Sequence, residues 1–172
     1  MSPVLIRYAT PEDAGLIADL SRQTFYDAFA AANNPEDIEK FMNEQFTREQ
    51  LMKEVTDPAS IFLLATVEGE VAGYARLREV PNPPELGNTP AIEIARIYSI
   101  TQTIGKGVGK ALMEECIAIA IEKRKQLIWL GVWEHNKRAI DFYTKWGFER
   151  FSEHTFVVGN DPQTDWMMKK AL

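Results

Sequence analysis

The segment Ile104-Gly105-Lys106-Gly107-Val108-Gly109-Lys110-Ala111-Leu112-Met113 joins an apolar, β-rich stretch to an amphipathic helical one. Glycine loses more backbone freedom on folding than any other residue, so three of them within five positions are costly to order. At a strand-to-helix junction they let the backbone approach a ligand closely. The following helix start offers unpaired N–H groups and the positive end of its dipole. Lys106 and Lys110 add charge. The pattern points to a phosphate or pyrophosphate; the alternative is a glycine turn that binds nothing.

Spacing narrows the ligand. A P-loop requires G-x-x-x-x-G-K-[ST], whereas Gly105 to Gly109 is one residue short and Ala111 replaces the magnesium-binding hydroxyl. A dinucleotide fingerprint requires G-x-G-x-x-G at an early βαβ unit; here the pattern is G-x-G-x-G and sits late in the chain.

The remaining pattern fixes the class. Val4–Tyr8 reads as a strand, and Thr10-Pro11-Glu12-Asp13, Asn34-Pro35-Glu36-Asp37 and Thr47-Arg48-Glu49-Gln50 read as helix starts. Ile61–Val67 and Val71–Val80 form a hairpin about Glu68-Gly69. Residues 81–90, with four prolines, read as an irregular loop. Ala91–Ile100 is a strand, and a helix runs from the glycine turn to about Lys123. Leu127–Trp133 is a continuous apolar run, as in a strand covered on both faces. Asn136 caps a helix closed by Gly147, and Phe148–Val158 and Thr164–Lys169 are strands about the turn Gly159-Asn160-Asp161-Pro162. This is an α/β chain with a mixed sheet, β-α-α-β-β-β-α-β-α-β-β, and its 172 residues suit a single domain spanning 1–172.

Asn136-Lys137-Arg138-Ala139-Ile140-Asp141-Phe142-Tyr143-Thr144-Lys145-Trp146-Gly147-Phe148 follows the glycine turn after one strand. The first segment resembles the [Q/R]-x-x-G-x-[G/A] pyrophosphate motif of the GNAT N-acetyltransferases, and the second their N-x-x-A-x-x-x-Y-x-x-x-G-F motif. Ile104 departs from the usual Gln or Arg; the shifted register Gln102 to Gly107 restores it but puts the helix out of phase. Thr24–Phe29, Ile128–Glu134 and Gln163-Thr164-Asp165 are further similar to bacterial spermidine/spermine N-acetyltransferases of the PaiA type.

The resemblance implies a mostly antiparallel sheet splayed around acetyl-CoA, with CoA as product. It implies that Gly105, Lys106, Gly107, Val108, Gly109, Lys110 and Ala111 hold the pyrophosphate. Ile97, Tyr98, Ser99 and Ile100 pair with the pantetheine arm, and amides near Ile97 and Tyr98 serve the oxyanion. Tyr143 aligns with the family's general acid, or else is a core aromatic. Glu93, eleven residues before Ile104, is either the general base or a solvent-facing strand residue. Asn136 contacts cofactor or is a plain N-cap, and Lys145 reaches the nucleotide or is a surface lysine. Phe25, Tyr26, Asp27 and Phe29 line the acceptor cleft or pack the first helix.

Net charge is −6, unlike a protein whose affinity rests on neutralising nucleic-acid phosphates. Eight acids against three bases between Asp27 and Asp57 suit a polycation. One cysteine, Cys116, excludes an internal disulfide, and His135 and His154 offer little for a metal. No run approaches the ~20 apolar residues of a membrane span, and the N-terminus lacks a signal-peptide layout. The expectation is a cytoplasmic enzyme, a monomer or homodimer without nucleic-acid or membrane partners, that acetylates a small amine such as spermidine or spermine. A protein or peptide N-acetyltransferase, a CoA-binding regulator without turnover and a nucleotide-binding module are the alternatives.

Overall fold

A computed structural model describes residues 2–172. Seven strands form one sheet: β1 (Val4–Tyr8), β2 (Ser60–Val67), β3 (Glu70–Arg78), β4 (Ala91–Ser99), β5 (Leu127–Trp133), β6 (Glu149–Val158) and β7 (Asp161–Ala171). Their order is β1-β2-β3-β4-β5-β7-β6. The β4–β5 pair is parallel and every other pair is antiparallel.

Helices α1 (Ala14–Phe29), α2 (Pro35–Gln45) and α3 (Arg48–Thr56) come before β2 in the chain, α4 (Val108–Glu122) follows β4, and α5 (Lys137–Lys145) follows β5. The two faces of the sheet carry separate cores. On one, Leu112, Met113, Cys116 and Ala120 of α4 meet Leu63, Ala75, Ile92, Ile128 and Leu130. On the other, Ile17, Phe25 and Phe29 of α1, Ile38 of α2 and Leu51 of α3 meet Phe62, Leu64, Tyr74 and Trp133. Each such aliphatic or aromatic side chain removed from water stabilises the fold by roughly 1.5–3 kcal/mol.

Local chemistry sets the helix starts. The Asn34 side chain accepts from Glu36 N at 2.8 Å, and Thr47 Oγ1 accepts from Gln50 N at 3.1 Å. At Thr10 the first turn is a tighter one, Pro11–Asp13, held by Thr10 N donating to Asp13 Oδ2. Glu68 and Gly69 both have positive φ, as a tight hairpin turn requires.

The structure differs from the sequence reading at several boundaries. Residues 81–90 are not wholly irregular: Pro84–Leu86 makes one short helical turn because Leu86 is drawn into a satellite core with Trp129 and Met167. Thr101–Thr103 forms another, so α4 begins at Val108, with Gly107 left-handed before it. The last hairpin turns tightly at Gly159-Asn160, and Asp161-Pro162 already belong to β7. Proline is tolerated there because β5 ends opposite Asp165, leaving no neighbour on that side to need its N–H.

Candidate active site

The β4–β5 pairing lasts four positions, from Ala91↔Leu127 to Ile94↔Leu130. A bulge follows: Arg76↔Arg96 and Leu77↔Ile94 leave Ala95 as an extra residue in β4. Bulges bend the strand that carries them. Beyond this point β4 stays on β3 and β5 stays on β7, so the two strands part. Alternate N–H and C=O groups of β4 then face a split with no strand to bond, an edge suited to an extended ligand.

A cavity of about 780 Å³ fills the split. Ile97, Tyr98 and Ser99 form one wall, and Gly131, Val132 and Trp133 the other. Gly105, Gly107, Gly109 and Lys110 line the mouth, with Asn136 and Arg138. Gly105 and Gly107 take φ of 85° and 86°, and a Cβ built on either meets nothing within 4 Å. The Ala111 N–H closes the first helical bond onto Gly107 O at 3.0 Å. The amides of the three residues before it, Val108 to Lys110, are the unpaired donors of a helix start, set between Lys110 and Arg138. Open backbone, free amides and two cations fit a diphosphate.

At the far end the cavity is aromatic. Phe25 stacks on Phe41 with centroids 4.4 Å apart, Phe29 packs on Trp133 at 5.3 Å, and Phe156 meets Phe41 at 5.4 Å. The aromatic cluster joins α1, α2, β5 and β6, so helix packing and cleft lining are the same job here. Arginines floor this chamber, each held by an acid. Arg96 binds both oxygens of Glu54 at 2.6 and 3.0 Å, and Arg76 approaches the same carboxylate at 3.5 Å. Arg78 is bonded to Glu93. Burial disfavours the charged Glu54, but Arg96 and Arg76 outweigh it and hold its carboxyl below the usual range.

Two carboxylates line the cavity, Asp27 and Asp165. Asp27 is exposed and accepts from Thr101 Oγ1 at 3.1 Å, tying α1 to the turn before α4. Asp165 is opposite Trp133 in the β5–β7 ladder, and its side chain is 13% exposed. Its Oδ1 is buried and hydrogen-bonded to nothing in the protein. Its Oδ2 lies 3.8 Å from His154 Nε2. Burial pushes this carboxyl up to about 6, against the opposing pull of His154.

Tyr143 lines the cavity from α5 and is 8% exposed. Burial first, then Cys116, raises its phenol well above the usual value. Cys116 is buried in α4 with its thiol pushed up to about 12, which keeps it protonated and unreactive.

The structure therefore brings most of the sequence-derived residues to one place. Phe25, Asp27, Phe29, Ile97, Tyr98, Ser99, Gly105, Gly107, Gly109, Lys110, Asn136 and Tyr143 all line the cavity. Asn136 is also a cap, accepting from Ala139 N at 3.3 Å. Others stand apart from its lining. Val108 is in the core, and Ile100 donates its N–H to Ala72 O. Ala111 contributes to the α4 ladder, and Lys106 donates its N–H to Thr103 O. Lys145 and Tyr26 are exposed on their helices. Glu93 is neither solvent-facing nor in the cavity lining; it is 8% exposed and its carboxylate is occupied by Arg78. Ile104, in place of Gln or Arg, lies at the mouth.

Sequence reading missed Asp165 as a site residue, and with it the paired arginines. The available signal was an acid two residues before Met167, on the same face of the strand, within the Gln163-Thr164-Asp165 segment.

Among the described residues no helix is long and apolar enough to cross a membrane. The Acetyltransferase (GNAT) family profile matches residues 20–148. The chain is 41% identical over 172 residues to an uncharacterized N-acetyltransferase in the pepI 3′ region of Lactobacillus delbrueckii subsp. lactis, covering 100% of this chain and 99% of that protein. It is 24% identical over 169 residues to the spermidine N(1)-acetyltransferase of Thermoplasma acidophilum, covering 96% and 95%. The fold is shared with the PaiA N-acetyltransferase of Thermoplasma acidophilum solved in complex with coenzyme A, at a TM-score of 0.81 and 23% identity over 99% of each chain. The protein belongs to the GNAT family of N-acetyltransferases, and acetyl-CoA is its acetyl donor.

Proposed function

We propose that the amine acetylated is that of a small polycation of the spermidine or spermine class. The observation that carries this reading is the charge of the acceptor chamber. Its arginines are already paired with Glu54 and Glu93, while Asp27 and Asp165 line it without a cationic partner in hydrogen-bond range. Aromatic faces from Phe25, Phe29, Phe41, Trp133 and Phe156 suit both the methylene chain and its ammonium groups. The sequence likeness to a spermidine N(1)-acetyltransferase supports the same class.

The chemistry follows from the groups present. A primary ammonium has a pKa of ~10 and must lose a proton before its nitrogen can attack. Backbone amides at the β4 edge stabilise the oxyanion that forms at the carbonyl. Tyr143 gives its proton to the departing sulfur. Burial that raises the phenol's pKa also destabilises a bare thiolate, so donor and acceptor stay matched.

Mass spectrometry after incubation with acetyl-CoA and a mixed pool of polyamines, amino acids and peptides tests the assignment. Acetylated spermidine or spermine as the dominant product is expected. Dominant acetyl-peptide would overturn it in favour of a protein acceptor. Tight acetyl-CoA binding with no acetylated product would favour a CoA-sensing role.

A further inference from the structure

We propose that Asp165, backed by His154, is the proton acceptor and ammonium anchor for the incoming amine. The inference rests on the amine-acetylating reading above and assigns it a base.

Position carries the argument. Leu130 is the last β5 residue paired with β4, and Gly131 is the first beyond the parting. A Cβ built on Gly131 would lie 3.5 Å from Asp165 Oδ2 and 3.3 Å from His154 Cε1. The Asp165 carboxylate thus borders the apex of the split. A thioester entering between the strands reaches that apex, and glycine leaves space there for the two reactants. Trp133, on the same face, is fixed by its Nε1 donating to Gln163 Oε1 at 2.9 Å.

Chemistry separates Asp165 from the other acids nearby. Glu54 and Glu93 are held by guanidiniums, and Asp27 is exposed and bonded to Thr101. Like Glu54 and Glu93, Asp165 is mostly buried, but it alone among these has a buried oxygen without any partner, and it keeps a proton affinity suited to work near neutral pH. The titratable groups facing it are His154 from β6 and Tyr98 from β4 across the split. His154, when protonated, stabilises the carboxylate through its 3.8 Å contact.

The step balances. The Asp165 carboxylate takes one proton from the ammonium, and the freed nitrogen lone pair forms a C–N bond at the thioester carbon. The C=O π pair moves to oxygen. When it returns, the C–S bond breaks and the sulfur takes the Tyr143 proton. The tyrosinate recovers a proton from the nitrogen. The proton on Asp165 leaves to solvent with the products, giving one amide, one thiol and one released proton.

Asp165→Asn keeps the shape and removes the base. With spermidine as probe, kcat/KM at pH 7.5 should fall about 100-fold or more. The acid limb near pH 6 should vanish, while the Kd for CoA stays within about twofold of wild type. His154→Gln should move that limb to higher pH, because a cation that lowers the carboxyl's proton affinity is gone. Retention of kcat/KM within about threefold, with the limb intact, overturns the proposal. Carboxyl ¹³C NMR of the wild-type protein with CoA bound gives a second reading that needs no turnover. Asp165 should titrate near 6 and fall on addition of spermidine. A carboxyl titrating in the ordinary range and unmoved by spermidine contradicts the proposal. A wild-type protein that binds CoA, shows this titration and acetylates no amine would instead sink the functional reading.

Discussion

Gly73 in β3 is where the frame of the site is least forgiving. A Cβ at that position would lie 2.6 Å from Tyr98 O, 2.9 Å from Val108 Cγ1 and 3.2 Å from Ser99 Cα. Two of these atoms belong to the backbone of β4 on the cavity wall, and the third to the first residue of α4. Interiors are packed as tightly as organic crystals, so in Gly73→Ala the β4 carbonyl must retreat by roughly half an ångström. Overpacking of this kind costs about 1–3 kcal/mol. At about 2–4 °C per kcal/mol for a chain of this length, a cost of ~2 kcal/mol lowers the melting temperature by about 4–8 °C. The displaced backbone is the edge expected to pair with the pantetheine arm. Since ~1 Å of misplacement can cost about 100-fold in rate, half of that should lower kcat/KM for acetyl-CoA by about tenfold. Differential scanning calorimetry and steady-state kinetics read the two effects. A variant that melts within about 1 °C of wild type and keeps the wild-type kcat/KM would refute the claim that close β3–β4–α4 packing positions the binding edge.

Glu54→Ala should destabilise the fold by about 3–5 kcal/mol, because Arg76 and Arg96, with side chains 8% and 15% exposed, lose their counter-charge. The double variant Glu54→Leu/Arg96→Met should recover over half of that in urea denaturation. Because the folded-state pKa of Glu54 lies below its ordinary 4.5, this pairing is fully present above pH 4.5 and lost as pH falls through the folded value. Glu54→Ala should therefore show a shallower loss of stability on acidification, and an unaltered acid profile would contradict the pairing. Tyr143→Phe should lower kcat about 100-fold with KM for both substrates within about threefold, because the proton proposed to pass from it to sulfur moves only in the transition state. Unchanged kcat would return Tyr143 to a packing role.

What could be read from the sequence divides along physical lines. Local rules placed the caps at Asn34, Thr47 and Asn136, the Glu68-Gly69 hairpin and the buried strand Leu127–Trp133, because these depend on neighbours within a few residues. The glycine turn and Tyr143 were legible because motif spacing preserves them, and both do reach one cavity. The strand register was not legible. It places Glu93 opposite Arg78 and removes it from the cavity lining, and it leaves Ala95 as a bulge. Asp165 escaped for the same reason: its value lies in standing over Gly131 at the parting of two strands distant in sequence. Lys145 and Tyr26 sit on motif-bearing helices, yet their helical phase turns them outward.

The central claim is that the free amides at the start of α4, Val108 to Lys110, hold the CoA diphosphate and so aim the thioester through the β4–β5 split. A crystal structure of the CoA complex tests it most directly. Phosphate oxygens within hydrogen-bond distance of those amides, with the pantetheine arm against β4 and its sulfur near Tyr143 and Asp165, is the predicted result. A diphosphate bound elsewhere, or a split closed by the protein's own side chains, would contradict it.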